Sequence, residues 1–493
     1  METKIQIIKF GGTSVGTGER IRRVANIIAH KVHDTGEDFP VVVVSAMAGV
    51  TDQLLRIAGL ACNGEYQDCE TELHALIQIH LEAAKTLLLK HEDRYNELVD
   101  DLEMAFATLK QDVTELQSSA TTSNVHEVPL RTAAIAAWGE RFSVLLVAAA
   151  VRNSGVEAVP VREEAIITSH PSKKTYQPAG IVIGTEPLTD ETRINAQRLA
   201  HPLIESRIVP IMPGFIGRTT KGFVTTLGRN GSDYSASVIG AALDCTEVTI
   251  YTDVDGVLSA DPRLVANARL LPRLSYAEAA RLSWFGAKVL HPRTLIPIAH
   301  RNIPVRVRNT FRPHSRGTVV GSERTQRSAA AAITVRHQLA LITVENTDMF
   351  GAPENAGQVF ALAARAGAAP VAICSSSGYH LSFMVEEQAA DSVLALLQHD
   401  MGTWRVICTK GLAACACIGS GFSADPMSSA RAITALARER IPVVTQGASE
   451  SGIILIVEDQ DSERALRCLH RDLIAPVIPL VRHGTQEKRR EAR

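Results

Sequence analysis

The side chains best suited to bind anions stand together in one short stretch of the sequence, from Thr225 to Ser237. A short β-branched strand leads into a glycine-rich turn and then into a helix of small residues, which we expect over Ala236 to Leu243. Glycines let the backbone approach a ligand, and a helix start offers unpaired N–H groups to an anion. The turn adds the guanidinium, hydroxyl and carboxylate of Arg229, Ser232 and Asp233. We expect it to bind a charged substrate or a phosphate, although such a turn could also only cap the helix.

A second turn of this kind ends the first strand of the chain. Residues Lys4 to Val15 form an alternating strand that ends in Lys9, Gly11 and Gly12. The lysine precedes the glycines and no Gly-Lys-Ser/Thr follows, so the stretch is not a P-loop. A lysine at a strand end beside glycines is nonetheless placed to neutralise phosphate oxygens. Two such turns in one chain indicate a site for phosphate chemistry.

Composition narrows the class of protein. A chain of 493 residues, 45% hydrophobic and 21% charged, is expected to form two to three globular domains. The formal net charge of −2 gives no electrostatic basis for binding nucleic acid or an acidic membrane. The longest apolar runs, such as Val144 to Val151, are too short to span a bilayer, and we expect no signal peptide before the first strand. The eight cysteines include no Cys-x-x-Cys and are expected to be reduced, in a cytoplasmic protein.

Strands and helices alternate along the first two thirds of the chain. This alternation predicts the α/β class, with a mostly parallel sheet between helix layers. The expected strands are Ile5–Lys9, Val41–Ser45, Val156–Val161, Ile208–Met212, Val248–Tyr251 and Val305–Val307.

A helical excursion is expected over about residues 65–128, which contain neither Gly nor Pro between Glu65 and Val128. Its apolar residues advance by fours and threes, which is typical of one helix face. We expect an antiparallel helix pair. The apolar stripe consists of Leu98, Leu102, Phe106, Leu109, Val113 and Leu116.

The last third of the chain repeats itself after a polar linker. Ala361-Leu-Ala-Ala-Arg365 is echoed by Ala435-Leu-Ala-Arg438, and Ser377–Val385 by Ser451–Val457. Each copy reads strand, helix, strand, strand, helix, as in a ferredoxin-like βαββαβ unit. The expected domains are a catalytic domain at 1–321, a linker at 322–332, repeats at 333–410 and 411–480 that could be interleaved, and a charged tail at 481–493.

Taken together, these motifs resemble the aspartokinases of the amino acid kinase family, over nearly the whole chain and in the family's order. The repeats resemble that family's tandem ACT domains, which sense amino acids. The resemblance implies transfer of the ATP γ-phosphoryl group to the β-carboxylate of L-aspartate, the first step towards lysine, threonine and methionine. The matching blocks are Lys9–Val15, Val44–Thr51, Gly139–Ser143, Leu227–Ser235, Tyr251–Val257, Asp261–Arg263 and Phe285–Pro292.

The resemblance also implies roles for individual residues. Lys9 and Asp233 would be catalytic, with Lys9 bridging the phosphoryl oxygens and Asp233 organising Lys9 and a Mg²⁺-phosphate cluster. Substrate would be bound by Ser45, Thr51, Glu140, Phe215, Arg229 and Ser232, with Arg229 on the α-carboxylate and Glu140 on the ammonium. ATP, with Mg²⁺ on its phosphates, would be bound by Lys9, Gly11, Gly12, Thr252, Asp253, Leu258, Arg263 and Lys288. Relatives often carry an aromatic residue at Leu258, so stacking on the nucleotide there is in question.

Regulation is also implied by the resemblance. Paired ACT domains suggest at least a homodimer and an amino-acid effector, with contacts at Asn346, Met349, Gly351 and Gln358. The stretch Pro370–Ser377 lacks the acidic residues of lysine-sensing relatives, so threonine, another effector or weak regulation stays open.

Two other functions are weighed against this one. A related kinase could act on glutamate, acetylglutamate or a nucleotide, but such relatives generally lack the ACT-like repeats and the Phe285–Pro292 block. A non-catalytic sensor would be expected to lose Lys9, Arg229 or Asp233, all of which are present. No second nucleotide-binding domain is expected after Leu480, which argues against fusion to homoserine dehydrogenase.

Overall fold

The computed structural model describes residues 3–34, 38–121, 127–171, 185–228, 230–287, 289–322, 330–345, 353–376, 379–402, 404–420, 422 and 425–474. The chain divides into two compact units. The first comprises Met1–Leu258 and Arg269–Thr325, and the second comprises Ser259–Ala268 and Gln326–Arg493. The expected catalytic domain, 1–321, therefore differs in one respect, because the short segment Ser259–Ala268 belongs to the second unit.

The first unit alternates strands and helices from its first residues onward. Its elements in chain order are β1 (Ile5–Phe10), α1 (Gly18–His33), β2 (Phe39–Val44), α2 (Val50–Asn63), α3 (Tyr66–Leu88), α4 (Glu92–Thr121), α5 (Val128–Ala136), α6 (Trp138–Asn153), β3 (Ala158–Pro160), β4 (Ile167–Thr168), α7 (Thr189–Glu205), β5 (Val209–Pro213), β6 (Ile216–Thr219), β7 (Val224–Thr226), α8 (Gly231–Ala242), β8 (Glu247–Thr252), β9 (Arg273–Ser275), α9 (Tyr276–Trp284), α10 (Pro292–Ala299), β10 (Val305–Asn309) and β11 (Thr318–Gly321).

An eight-stranded sheet forms the centre of this unit, in the order β3-β5-β2-β1-β8-β10-β11-β9. The first six strands of that order are parallel, and they are the six that the sequence predicts. Every residue of β1, β2 and β5 is buried, as expected for parallel strands covered on both faces. The mostly parallel α/β architecture is thus confirmed. A smaller sheet, in the order β4-β6-β7, leads the chain back into α8.

The predicted helix pair is α3 and α4, and all six residues of its apolar stripe are buried. Helix α4 packs against α2, α5 and α6, so the pair extends the helix layer of the unit. The neighbouring stretch Val128–Asn153, which holds α5 and α6, is long and apolar enough to cross a membrane by length and composition. However, 83% of its apolar window is buried inside the protein, as in a core helix.

The second unit is built on a six-stranded sheet in the order β13-β14-β12-β15-β17-β16. Its elements are β12 (Ala332–Glu345), α11 (Pro353–Arg365), β13 (Ala372–Ser376), β14 (His380–Glu386), α12 (Glu387–Asp400), β15 (Arg405–Ile418), α13 (Pro426–Arg438), β16 (Thr445–Ser449), β17 (Gly452–Glu458) and α14 (Ser462–Leu473).

Two ferredoxin-like repeats share this sheet through their two longest strands. The second half of β12 and the first half of β15 belong to the first repeat, with β13 and β14. The second half of β15 pairs with β17, and the first half of β12 completes that repeat as its fourth strand. Both long strands carry a left-handed residue where the repeats meet, Gln338 (φ 56°) and Gly411 (φ 72°). The repeats are therefore interleaved, and the second repeat draws residues 332–336 from before the expected start at 411.

The segment Ser259–Ala268 is anchored in the core of the second repeat. Ala260 and Val265 are buried in its hydrophobic cluster. The Ile333 N–H donates to the Ser259 carbonyl at 2.8 Å, and the Ser259 hydroxyl lies 2.9 Å from His470 Nε2. Apolar burial and backbone pairing thus explain why this segment departs from the unit that surrounds it in sequence.

Candidate active site

An open cleft of ≈ 340 Å³ lies in the first unit where β1, β2 and β5 end. The carboxyl ends of parallel strands are where open α/β sheets place their ligands. Seven of the eight predicted catalytic and substrate-binding residues line the cleft, and the eighth, Arg229, lies outside the described residues. The lining consists of Lys9, Gly12, Ser45, Ala46, Met47, Ala48, Gly49, Thr51, Asp52, Glu140, Phe215, Gly228, Asn230, Gly231, Ser232 and Asp233.

A buried ion pair crosses the cleft. Lys9 at the end of β1 and Asp233 in the first turn of α8 bring Nζ and Oδ1 within 2.5 Å. Their side chains are only 9% and 15% exposed. Charges so far removed from water are tolerated because each compensates the other. The pair thus presents a lysine of fixed position to an incoming anion.

Two helices begin at the cleft and present their amino ends to it. Helix α2 follows Gly49, and α8 follows Asn230, both of which have left-handed backbone conformations (φ 84° and 55°). Neither helix receives a side-chain hydrogen bond from its cap residue in the described structure. The first N–H of each helix, at Val50 and Gly231, already donates to a backbone carbonyl, so it is the helix dipoles that favour a negative ligand at both helix starts. Together with Lys9, they make the cleft suitable for phosphate.

Glu140 adds a carboxyl group to the cleft that, unlike the Asp233 carboxylate, is not paired with a lysine of the described chain. It lies in the first turn of α6, is 2% exposed, and accepts a 3.1 Å hydrogen bond from the Ala46 N–H on Oε1. Its Oε2 has no hydrogen-bond partner among the residues that the structure describes. Burial raises the pKa of Glu140 to about 8, against the opposing effects of the Ala46 hydrogen bond and the Lys9 charge. A cationic group that reached Oε2 would restore its ionised form.

Glycines allow the close packing from which the cleft is built. A Cβ at Gly214 would lie 2.6 Å from the Ser232 Cβ, and one at Gly12 would lie 2.9 Å from the Ala46 carbonyl oxygen. Phe215, next to Gly214, has φ 63°, an uncommon conformation for an aromatic residue. The backbone conformation at these positions therefore determines the shape of the cleft.

The residues expected to bind ATP do not all line the cleft. Gly11 donates its N–H to the Tyr251 carbonyl at 3.2 Å, which joins the glycine turn to the end of β8. Thr252 and Asp253 follow there, and the Thr252 hydroxyl donates to Asp253 Oδ1 at 3.1 Å. These two residues and Leu258, which forms an isolated bridge with Leu270, belong to the first unit but do not line the cleft.

The contacts of Arg263 do not match the ATP-binding role that is expected for it from the sequence. It belongs to the second unit, and its guanidinium binds the Asp261 carboxylate through Nε and Nη2, the latter at 2.6 Å. Its binding of ATP phosphates therefore finds no support in its surroundings and stays a prediction. Lys288 lies outside the described residues, as do the effector positions Asn346, Met349 and Gly351. Gln358 is exposed on α11.

Sequence reasoning missed several residues of the cleft. Asp52 and Asn230 line it, and neither was assigned a role. Asp52 follows Thr51 in a block already noted for its resemblance, and an acidic residue in a first helical turn is a recognisable signal. Asn230 tolerates the left-handed conformation that the turn before α8 requires.

The chain is similar to families and proteins that are already known. The model of the amino acid kinase family matches residues 4–309, and that of the ACT domain matches residues 416–473. A bifunctional aspartokinase/homoserine dehydrogenase 2 of Arabidopsis thaliana is 32% identical, over 94% of this chain and 50% of its own length. The chain thus spans about half the length of the first curated relatives it matches.

Two further relatives are matched over most of their own length. Aspartokinase 1 of Arabidopsis thaliana is 30% identical over 94% of this chain and 79% of its own. The crystal structure of E. coli aspartokinase III with aspartate and ADP superposes with a TM-score of 0.77 at 28% identity, covering 95% of this chain and 99% of that one. The chain therefore belongs to the amino acid kinase family, within its aspartokinases, and carries an ACT domain after the kinase fold.

Proposed function

We propose that this chain is an aspartate kinase, which converts ATP and L-aspartate to ADP and 4-phospho-L-aspartate. The observation that carries the proposal is the convergence of the Lys9–Asp233 pair, the buried Glu140 and the N-termini of two helices on one cleft. The relative of known structure that was crystallised with aspartate and ADP supports the same pair of substrates. The intact ion pair also argues against a decayed kinase that only senses amino acids.

The substrate's two charged ends call for different partners. Glu140 would bind the α-ammonium through its unpartnered Oε2, and the positive charge would return its carboxyl group to the ionised form. Arg229 would bind the α-carboxylate, an assignment that rests on its residue type and on Gly228 and Asn230, its neighbours in sequence, which line the cleft. Ser45, Thr51 and Ser232 would add hydroxyl contacts, with Phe215 as a wall.

The transfer step needs no general base, because the β-carboxylate of aspartate is already ionised at neutral pH. One carboxylate oxygen bonds to the γ-phosphorus as the bond from phosphorus to the bridging β,γ-oxygen breaks, and that electron pair leaves on ADP. Catalysis then consists of alignment and of charge stabilisation. Lys9 and the positive dipole ends of α2 and α8 supply positive charge for the moving phosphoryl group, and Asp233 keeps Lys9 in place.

The donor atoms of the cleft suit Mg²⁺ that arrives with the nucleotide. Within the described part of the chain, no three His, Cys, Asp or Glu side chains gather into a metal site. The cleft instead offers the separate carboxylates of Asp52 and Asp233. Mg²⁺ usually binds through one or two carboxylates plus substrate phosphates, and it neutralises phosphate charge when bound.

The second unit is proposed to bind an amino-acid effector and to join the chains of a homodimer. The edge strands β13 and β16 of the interleaved sheet lie near each other within one chain, and the exposed Ile373 of β13 leaves apolar surface that a second chain would cover. An effector could inhibit only by binding one arrangement of the kinase units more tightly than another. Titrating the full chain with lysine, threonine and methionine, with light scattering for its oligomeric state, tests both parts.

The proposed activity is tested by trapping the acyl phosphate. The purified chain is incubated with ATP, Mg²⁺ and hydroxylamine, and with L-aspartate, L-glutamate or N-acetylglutamate in turn. We expect hydroxamate and ADP to form with aspartate, and neither product with Asp233→Asn. Turnover of glutamate or acetylglutamate without turnover of aspartate would identify a different kinase of the same family.

A further inference from the structure

Arg293 occupies a position that none of the assigned roles uses. It is the second residue of α10, its side chain is 23% exposed, and it does not line the cleft. The helix is oriented at this end by His291, whose Nδ1 accepts the Arg293 N–H at 3.2 Å. The guanidinium is thereby directed back towards the elements that carry the substrate-binding residues.

The first contact of the guanidinium is with the chain just beyond β7. Arg293 Nη1 donates to the Leu227 carbonyl at 2.7 Å, and the Leu227 N–H donates to the Phe215 carbonyl at 2.8 Å. Phe215 is a wall of the cleft held at φ 63°. Arg293 therefore closes a chain of hydrogen bonds that ends at a cleft residue.

The second contact is with the start of α8. The guanidinium carbon lies 4.4 Å from the centroid of the Tyr234 ring, the residue directly after Asp233. Arg293 Nη2 also binds Glu186 Oε1 at 2.9 Å, and the Tyr234 hydroxyl donates to Glu186 Oε2 at 3.4 Å. The planar guanidinium can stack on the ring and bond in its own plane at once, which an ammonium cannot do.

We propose that Arg293 is a positioning residue for the kinase reaction, which acts by fixing the end of β7 and the first turn of α8. Through these contacts it sets the positions of Phe215, Ser232 and Asp233, and hence the geometry in which aspartate meets Lys9. The proposal rests on the proposed aspartate kinase activity. Because misplacement of reacting groups by about 1 Å can cost on the order of a hundredfold in rate, a residue outside the cleft can still control catalysis.

The chain provides a matched control for this residue. Arg301, just beyond α10, pairs with Asp244, just beyond α8. Both arginines thus connect α10 with α8, one at the cleft end of α8 and one at its opposite end. Loss of Arg301 removes a comparable ion pair without touching the substrate side.

The test compares Arg293→Met, Arg293→Lys and Arg301→Met in the full chain by steady-state kinetics and thermal unfolding. For Arg293→Met we expect the aspartate KM to rise at least about tenfold and kcat to fall about tenfold, with a smaller change in the ATP KM. Arg293→Lys, which keeps the charge but not the planar fork, is expected to recover part of the loss. Arg301→Met is expected to stay within about twofold of the wild type.

Amide hydrogen exchange gives a readout that does not depend on the substrate. Exchange in Arg293→Met should be faster at Leu227 and over Ser232–Ser235 than in Arg301→Met, because the end of β7 and the first turn of α8 lose their contacts with the guanidinium. Unchanged exchange there, or kinetic constants equal to those of Arg301→Met, would overturn the proposal. If the wild type shows no kinase activity while exchange is still faster in Arg293→Met, the proposed function is refuted. The role of Arg293 in fixing the end of β7 and the first turn of α8 would then still stand.

Discussion

The ammonium of Lys9 and the carboxylate of Asp233 lie 2.5 Å apart in a cleft that buries most of both side chains. One residue is next to last in β1, and the other lies in the first turn of α8, far along the chain. Removing one partner of a buried pair leaves the other charge uncompensated, so each residue holds the other in position. The pair is consequently a functional unit of the proposed mechanism.

Lys9→Met should lower kcat by at least about a hundredfold and change the aspartate KM little, because the lysine charge is needed most as the phosphoryl group moves. Lys9→Arg should recover little, since the guanidinium cannot occupy the ammonium's position beside Asp233. Single-turnover kinetics with aspartate and ATP measure the effect. An ATP KM that rises with an unchanged kcat would show that Lys9 only binds nucleotide.

Arg229→Ala should raise the aspartate KM strongly, because the α-carboxylate loses a bidentate partner that is typically worth about 1.5–3 kcal/mol. The measurement is the aspartate KM at saturating ATP. If only the ATP KM changes, the division of the site into substrate and phosphoryl halves is wrong.

Glu140→Gln should abolish tight aspartate binding yet stabilise the unliganded protein at pH 8. The folded-state pKa of Glu140, about 8, lies above its ordinary value. Between those two values the unfolded chain is ionised while the folded chain holds its proton, so wild-type stability falls as pH rises. The amide does not titrate, and we expect it to gain about 1–3 kcal/mol over the wild type between pH 5 and pH 8.

Glu163→Gln is the control of opposite sign for urea unfolding at the two pH values. Burial raises the pKa of Glu163, but the charge and hydrogen bond of Arg141, 2.5 Å away, outweigh it and leave the pKa below its ordinary value. Its contribution to stability is present at neutral pH and is lost as pH falls, so the amide should destabilise the protein at pH 8. Equal effects of the two substitutions would contradict the assigned environments.

Gly214→Ala should impair the site, whereas Gly59→Ala should leave it intact. A Cβ at Gly214 would lie 2.6 Å from Ser232, which must move, and we expect the aspartate KM to rise about tenfold or more. Gly59 lies within α2 with no atom within 4 Å of its added Cβ, and alanine there should stabilise the protein by about 0.5–1 kcal/mol. Paired kinetics and thermal unfolding distinguish the two outcomes.

His80 should make the first unit sensitive to acid. It is fully buried beside Phe142, with ring centroids 4.7 Å apart, and its Nδ1 lies 2.7 Å from the Leu76 carbonyl. Burial lowers its pKa to about 4, although the Leu76 hydrogen bond opposes the shift. The unfolded chain binds the proton first as pH falls, so stability should decrease below about pH 6.5 by about 2 kcal/mol at pH 5.

His80→Leu should remove that loss between pH 7 and pH 5 in urea unfolding. His74→Leu, an exposed position on the same helix, serves as the control and should keep the wild-type pH dependence. A His80→Leu protein that loses stability with acid as steeply as the wild type would place the acid sensitivity elsewhere.

Local patterns in the sequence were sufficient for the six parallel strands and the helix pair of the first unit, whereas most residues of the cleft were expected from the family resemblance. The six parallel strands follow from β-branched apolar runs, and the buried stripe on α4 follows from helical spacing. Glycine turns that follow strands predicted anion-binding positions for Lys9 and Asp233, because glycine lets the backbone approach a ligand closely. These features depend on a few neighbouring residues, and a sequence displays such features directly.

Only the tertiary structure decided which distant groups meet. The raised pKa of Glu140, the Lys9–Asp233 ion pair and the hydrogen bonds of Arg293 each need groups from separate elements within a few ångströms. The same holds for the interleaved repeats and for Ser259–Ala268, whose apolar residues find their core in the second unit. Long-range burial and pairing set these outcomes, because the free energy of a contact depends on what surrounds it and not on its separation along the chain.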